Sequence, residues 1–215
     1  FPLYIYKEKY NLKNSSVIYP GINISYFKKI SKKRTSCHIK IGYIGAPTIG
    51  KGLIEIYKVI KLLTFKKWKK EVILAIRRTH ESSILKKISE LKIKNLKLLS
   101  KTKDIRKVYN NLDIIILPFR HEGAAIATPL TLLEAMACER AIITTDLPNI
   151  REICGDSVIY VKPNSPHEIV KKIEYLKENP DIRKKLGKKA RERVVKYFNE
   201  EKMIKEFEKL IKSLC

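Results

Sequence analysis

Two stretches of this sequence carry residue types suited to phosphate and ribose. The first is Gly45-x-x-x-x-Gly50-Lys51, set between an apolar β-rich run and a helical pattern. Glycines let backbone amides close on an anion, and a lysine at a helix start adds positive charge. The spacing stops one residue short of a P-loop, because Gly52 stands where Ser or Thr would hold Mg²⁺. The apolar run Ile114–Leu117 also ends in Pro118 rather than in an Asp that would steady the metal. A glycine turn with a solvated lysine is the plain structural alternative.

The second stretch is Thr128-Pro-Leu-Thr-Leu-Leu-Glu134-Ala-Met-Ala. Thr128 is read as a helix N-cap and Pro129 as the first helical residue, where its missing N–H costs nothing. The N–H groups of Leu130 and Thr131 then lie free at the positive end of the helix dipole. Glu134 follows Leu130 by four and Thr131 by three, so it shares their face and leans back toward the helix start. A carboxylate there accepts from two vicinal hydroxyls while the helix end holds an adjacent phosphate, which matches a ribose and its diphosphate. An isolated helical Glu is usually a solvated charge, but the apolar neighbours on both sides argue against exposure here.

These residues need elements that bring them together. Apolar β-rich runs at Ile39–Ile44, Glu71–Ile76, Asn95–Leu99, Leu112–Leu117, Arg140–Thr144 and Ser157–Val161 alternate with helical patterns at Lys51–Leu63, Glu81–Leu91, Asp104–Asn111 and Pro129–Cys138. From Ser165 onward the pattern is helical, with breaks near Asn179-Pro180 and Asn199. Such alternation implies right-handed crossovers and a doubly wound, mainly parallel Rossmann-like α/β sheet. Its ligand crevice is then expected where the strands end, near Gly45, Arg77, Pro118 and Thr144. Three segments are expected: 1–35 as a linker or the tail of a missing domain, 36–198 as the nucleotide-binding body, and 199–215 as a C-terminal helix. In that last helix Met203, Phe207, Leu210, Ile211 and Leu214 form an apolar stripe.

The 215 residues are 44% hydrophobic and 32% charged, enough for one full domain and too apolar for a disordered tail. Lys+Arg 46 against Asp+Glu 22 gives +24, a field that favours polyanions: nucleic acid, anionic lipid or phosphorylated small molecules. The aromatic-interleaved basic motifs of RNA-binding folds are missing, and Lys66-Lys67-Trp68-Lys69-Lys70 is the single cluster of that kind. No nucleic-acid partner is expected; peripheral contact with an anionic membrane face is. The longest stretch without a charge, Asn14–Phe27, has 14 residues against the roughly 20 of a membrane span. With no secretory leader read at the start, a cytoplasmic protein is expected. Cys37, Cys138, Cys154 and Cys215 have no C-x-x-C spacing and read as reduced thiols.

The chain resembles the C-terminal, donor-binding domain of retaining glycosyltransferases with the two-domain GT-B fold, the large family 4 group. The resemblance covers about residues 17–215. It rests on the order and spacing of Val17-Ile-Tyr-Pro-Gly-Ile, Ile44-Gly45…Lys51-Gly52, Asp113–Pro118, Leu133-Glu-Ala-Met-Ala-Cys-Glu-Arg-Ala-Ile-Ile-Thr, Glu152, Val161-Lys-Pro and the basic run from Arg183. It implies binding of a nucleotide-diphosphate sugar and retaining transfer to an acceptor, lipid-linked or polysaccharide, with an N-terminal GT-B domain supplied in cis or in trans. It implies no metal or other cofactor, and the sequence offers no Asp-x-Asp and no His/Asp cluster with ligand spacing. Gly45, Lys51, Thr128, Leu130, Thr131 and Glu134 are the donor-binding candidates.

The chain departs from the family pattern at two places. The family has two glutamates eight apart, the first against the transferred sugar; eight before Glu134 stands Ile126. Glu122-Gly123 resembles the family's "E-G" but lies twelve before Glu134, which makes Glu122 the catalytic candidate on a longer loop. The family's diphosphate-clamping basic residue after the first strand is Ala46 here, and Arg77, with Arg78, is the candidate substitute. Without a first carboxylate, a non-catalytic nucleotide-binding partner subunit remains the alternative to an enzyme. A basic module for nucleic acid or a membrane surface is the other.

Overall fold

A computed structural model of the protein describes residues 16–30, 38–76, 83–91, 93, 95–100, 102–125 and 128–213. The elements run β1 (Ile39–Gly45), α1 (Leu53–Thr64), β2 (Lys70–Ile76), α2 (Ser83–Glu90), β3 (Leu96–Leu99), α3 (Ile105–Asn111) and β4 (Ile114–Leu117). After a short 3₁₀ turn, Glu122–Ala125, come α4 (Leu130–Ala137), β5 (Ala141–Thr145), α5 (Pro148–Cys154), β6 (Ile159–Val161), α6 (Pro166–Glu178), α7 (Pro180–Tyr197) and α8 (Glu200–Lys212).

The six strands form one sheet in the order β3-β2-β1-β4-β5-β6. Every pair is parallel, from Ile41 opposite Ile114 at the centre to Thr145 opposite Val161 at one edge. The winding reverses between β1 and β4, so the switch-point crevice opens beyond Gly45 and Leu117. Strand alternation sends Ile41, Tyr43, Ile114 and Ile116 to a core shared with α1, α2 and α6. Ile44, Ile115, Leu117 and Ile142 face a second core under α3, α4, α5 and α7. Burial on both faces is why β4 reads as an unbroken Ile-Ile-Ile-Leu run.

The structure adds one helix to the sequence reading and attaches one segment. Helix α5 has seven residues and opens on a proline, too short to show a helical period. Within the segment set apart as 1–35, residues 16–30 lie on the body. Ile22 donates to Phe198 O at 2.9 Å and accepts from Glu200 N at 3.1 Å. The Tyr19 hydroxyl bonds the Glu152 carboxylate, and burial together with that partner pushes the phenol up to about 12. Helix α8 buries none of its residues, and Ile204, Phe207 and Ile211 are exposed. Of its apolar stripe, Met203 and Leu210 are half-buried, with the Gly21 N–H 3.2 Å from Met203 Sδ, whereas Phe207 and Ile211 are exposed.

Candidate functional site

The crevice is framed by the turn after β1 and the turn after β4, and the two are in van der Waals contact. Gly52 has φ +84° and caps α1; a Cβ there would stand 2.1 Å from Pro118 O. The Arg120 amide donates to Gly50 O at 3.0 Å, and a Cβ on Gly50 would lie 3.0 Å from the Ala124 Cβ. The Tyr43 hydroxyl donates to Ala46 O at 2.7 Å and holds the start of the turn just beyond Gly45.

Lys51 does not start the helix as expected, because α1 begins at Leu53 and the left-handed Gly52 intervenes. The ammonium instead lies 5.3 Å from the centroid of the Phe119 ring, and burial lowers its pKa below the ordinary lysine value. A partly desolvated cation attracts a phosphate more strongly than a hydrated one, because less water has to leave when the pair forms.

Thr128 is not the cap of the phosphate-side helix, which is the second correction. Pro129 is the N-cap, with φ −64° and ψ 113°, and no side chain bonds the helix start. Its fixed φ and extended ψ suit the half-in position, which leaves Thr128 outside the first turn. Leu132 and Leu133 donate back to Pro129 O, whereas Leu130 and Thr131 N–H have no acceptor among the described residues. Leu130 is 52% exposed at that end, so the helix start is open to a ligand.

Glu134 stands one turn further on. Its Oε2 accepts from the Tyr109 hydroxyl at 2.6 Å, and that hydroxyl also lies 3.4 Å from Thr131 O. Oε1 has no donor among the described residues. Burial pushes the carboxyl above the usual carboxylate range, and the Tyr109 hydrogen bond pulls it part of the way back. The Tyr109 phenol, fully buried, is pushed well up by burial and by the Glu134 charge. Tyr109 is absent from the sequence reading. A tyrosine inside a short helix reads as core, and its partner lies 25 positions away.

Arg120 and Glu55 are also absent from that reading. Glu55, 2% exposed in the first turn of α1, has Oε1 3.5 Å from Arg120 Nε, which also donates to Asn164 Oδ1 at 2.7 Å. One guanidinium, on the loop after β4, thus reaches the first turn of α1 and the loop after β6 at the carboxyl edge of the sheet. Arg120 and the positive helix end offset part of the cost of burying the Glu55 charge, whose Oε2 has no hydrogen-bond partner among the described residues.

Glu122 begins the 3₁₀ turn, half-buried, with its carbonyl 3.5 Å from Asn149 Nδ2 of α5. The turn is pinned to Gly50 on one side and to α5 on the other, so Glu122 lies on the crevice rim rather than on α4. Arg77 and Ile126 lie outside the described residues. The basic cluster at Lys66–Lys70 is partly absorbed by local structure. Lys70 Nζ donates to Lys66 O and sits 5.0 Å from the Trp68 ring centroid, and Lys66 pairs with Glu174 at 2.9 Å. No group of three or more His, Cys, Asp or Glu side chains among the described residues is placed to hold a metal. No helix among them is long and apolar enough to cross a membrane.

An all-parallel 3-2-1-4-5-6 sheet with its crevice at the β1/β4 switch point is the architecture of one half of a GT-B fold. The family model of the group 1 glycosyl transferases matches residues 27–193, and the chain belongs to that family. An uncharacterized glycosyltransferase of Methanocaldococcus jannaschii is 27% identical over 214 residues, 95% of this chain and 54% of that protein. The chain thus spans about half the length of this relative. The crystal structure of a glycosyltransferase from Rickettsia africae superimposes with a TM-score of 0.82 at 19% identity, over 97% of this chain and 61% of that one. HepE of Anabaena, crystallised in complex with UDP and glucose, superimposes with a TM-score of 0.74 at 16% identity, over 92% of this chain and 56% of that one. At these identities the structures speak for the fold.

Proposed function

We propose that this chain is the donor-binding half of a retaining glycosyltransferase that uses a nucleotide-diphosphate sugar. The observation that carries the reading is the start of α4, where two N–H groups without an acceptor among the described residues and a carboxylate held by Tyr109 share one helix end. Glu134 Oε1 accepts the ribose hydroxyls. The Leu130 and Thr131 amides, the Gly45 turn and Lys51 hold the diphosphate. The same groups stabilise the charge that builds on the leaving diphosphate as the glycosidic bond breaks. Charge supplied by a helix end and a lysine takes the place of a metal ion. HepE, with UDP and glucose bound in the same fold, supports this class of donor.

The acceptor, lipid-linked or polysaccharide, is placed by an N-terminal GT-B domain in cis or in trans. The protein works on the cytoplasmic side, at an anionic membrane face. A second reading, a nucleotide-binding subunit without transfer activity, is favoured by Ile126 standing where the family has its first glutamate. Calorimetric titration with UDP, GDP and ADP tests the donor reading. Binding of one of them in the micromolar range is expected; no binding of any at millimolar concentration would overturn it. Sugar transfer by the chain supplied with its N-terminal domain separates enzyme from subunit.

A further inference from the structure

We infer that residues 22–30 are a positioning element for Glu134, acting through Phe27 and Tyr109. The inference rests on the reading of Glu134 as the ribose acceptor and goes beyond it, because it couples that carboxylate to a segment outside the sheet.

The segment is bonded directly to α3 and reaches α4 through Arg191 of α7. On the α3 side, the Phe27 ring meets the Tyr109 ring edge-on, with centroids 6.2 Å apart and planes at 81°. Asn110, next to Tyr109, donates from Nδ2 to Lys28 O at 3.0 Å and accepts from Ile30 N at 2.7 Å. On the α4 side, Arg191 of α7 donates to Phe27 O at 2.6 Å and to Ile24 O at 2.9 Å. The same Arg191 nitrogen that reaches Phe27 also reaches Ala137 O, the last residue of α4, at 3.0 Å. The 2.6 Å bond from Tyr109 to Glu134 thus spans two helices that one segment links, α3 directly and α4 by way of Arg191.

A buried phenol and buried loop carbonyls need partners in any fold; what is particular here is that the partner of Tyr109 is the Glu134 carboxylate. Here each contact in the chain Phe27–Tyr109–Glu134 is specific in direction. If the segment lifts, Tyr109 loses its ring neighbour and Asn110 its backbone partners, α3 is free to move from α4, and the carboxylate loses its hold. Coupling of this kind is reciprocal: what ligand binding gains from a seated segment, the segment gains from bound ligand. The groups facing Glu134 are Tyr109 from α3 and the Cys138 thiol at the end of α4. Arg106, Arg140 and Arg191 face Cys138.

The test uses the full chain with UDP as the probe, or GDP or ADP if one of those binds instead. In the wild type, ligand should slow hydrogen exchange at the Ile30 amide, which is bonded to Asn110. Tyr109→Phe, which keeps the ring, should weaken binding about fivefold to tenfold, at the low end of site-to-site couplings. It should also raise the pH below which binding fades, because the bond that favours ionised Glu134 is gone, and remove the protection at Ile30. Phe27→Leu should act in the same direction. Glu134→Gln separates the two ideas: wild-type affinity in that variant would remove the ribose reading itself. Weak binding by Glu134→Gln together with unchanged binding and pH profile in Tyr109→Phe would overturn the inference alone. If Tyr109→Phe does not fold, Ile30 exchange in the wild type decides, and no slowing on adding ligand overturns it.

Discussion

Gly52 and Pro118 touch: a Cβ on Gly52 would stand 2.1 Å from the Pro118 carbonyl oxygen, and the Gly52 φ of +84° excludes most side chains in any case. The turn after β1 and the exit of β4 are thus joined at the residue where a P-loop would carry its Ser or Thr. Gly52→Ala should cost about 2–4 kcal/mol, from the left-handed backbone plus the clash. At roughly 2–4 °C per kcal/mol for a chain of this size, thermal unfolding should show the loss directly. A melting temperature unchanged in Gly52→Ala would mean that the two turns are not fused as described.

Glu134→Gln should move affinity and stability in opposite directions. Losing a charged acceptor of ribose hydroxyls should cost about 1.5–3 kcal/mol, roughly tenfold to hundredfold in nucleotide affinity. Burial raises the Glu134 pKa in the folded state, so the ionised carboxylate destabilises the empty domain at neutral pH. That cost is full above the folded pKa and gone below the ordinary carboxylate value, where the group is protonated in both states. The glutamine variant should therefore melt higher than wild type near pH 7 to 8, and the two should converge on acidification. Melting curves across that range check the sign.

Much of this arrangement could be read in the sequence because it depends on local pattern. The Ile-Ile-Ile-Leu of β4, the helical spacing of Leu53, Ile56, Ile60 and Leu63, and Asp104 as a cap accepting from Arg106 N each follow from near neighbours. What could not be read depends on distance along the chain. Tyr109 finds Glu134 across 25 positions, Arg120 finds Asn164 across 44, and Arg191 finds Phe27 across 164. Composition predicts none of these pairs. The two local errors have local causes. Gly52 takes a left-handed turn that pushes the start of α1 two residues past Lys51, and Pro129 serves as the cap itself rather than following one.

Lys51→Met should weaken UDP binding but leave uridine binding nearly unchanged, because the ammonium serves the phosphates alone. Burial lowers the Lys51 pKa, so its charge is lost at a lower pH than that of an exposed lysine. UDP affinity in the wild type should accordingly fall on the alkaline side before an ordinary lysine would titrate. Lys51→Arg, whose guanidinium stays charged, should hold its affinity to higher pH. Equal alkaline profiles for the two proteins would take Lys51 out of the phosphate site.

Nucleotide binding should ignore EDTA. The residue types argue it: glycine stands in the Ser/Thr place, proline in the Asp place, and no acidic cluster is assembled among the described residues. Calorimetry with and without Mg²⁺ measures the difference directly. A strict magnesium requirement would return the Gly45–Lys51 turn to the P-loop class.

On the proposed reading, the transfer step needs more than this domain. A donor held by a single crevice wall meets water on its open side, and transfer requires the acceptor in near-attack geometry with water excluded. The chain alone should therefore bind donor and transfer none of it, and activity should appear when the N-terminal domain is joined or added. In that active form Glu122→Gln should reduce turnover much more than nucleotide affinity, because Glu122 lies on the 3₁₀ turn, apart from the start of α4 where the nucleotide is proposed to bind. Steady-state rates and nucleotide titrations on the same variant separate the two effects. Unchanged turnover in Glu122→Gln would leave the turn as scaffold only, and with Ile126 in the other glutamate's place the subunit reading would then gain. Robust transfer by the isolated chain would show instead that one wall suffices.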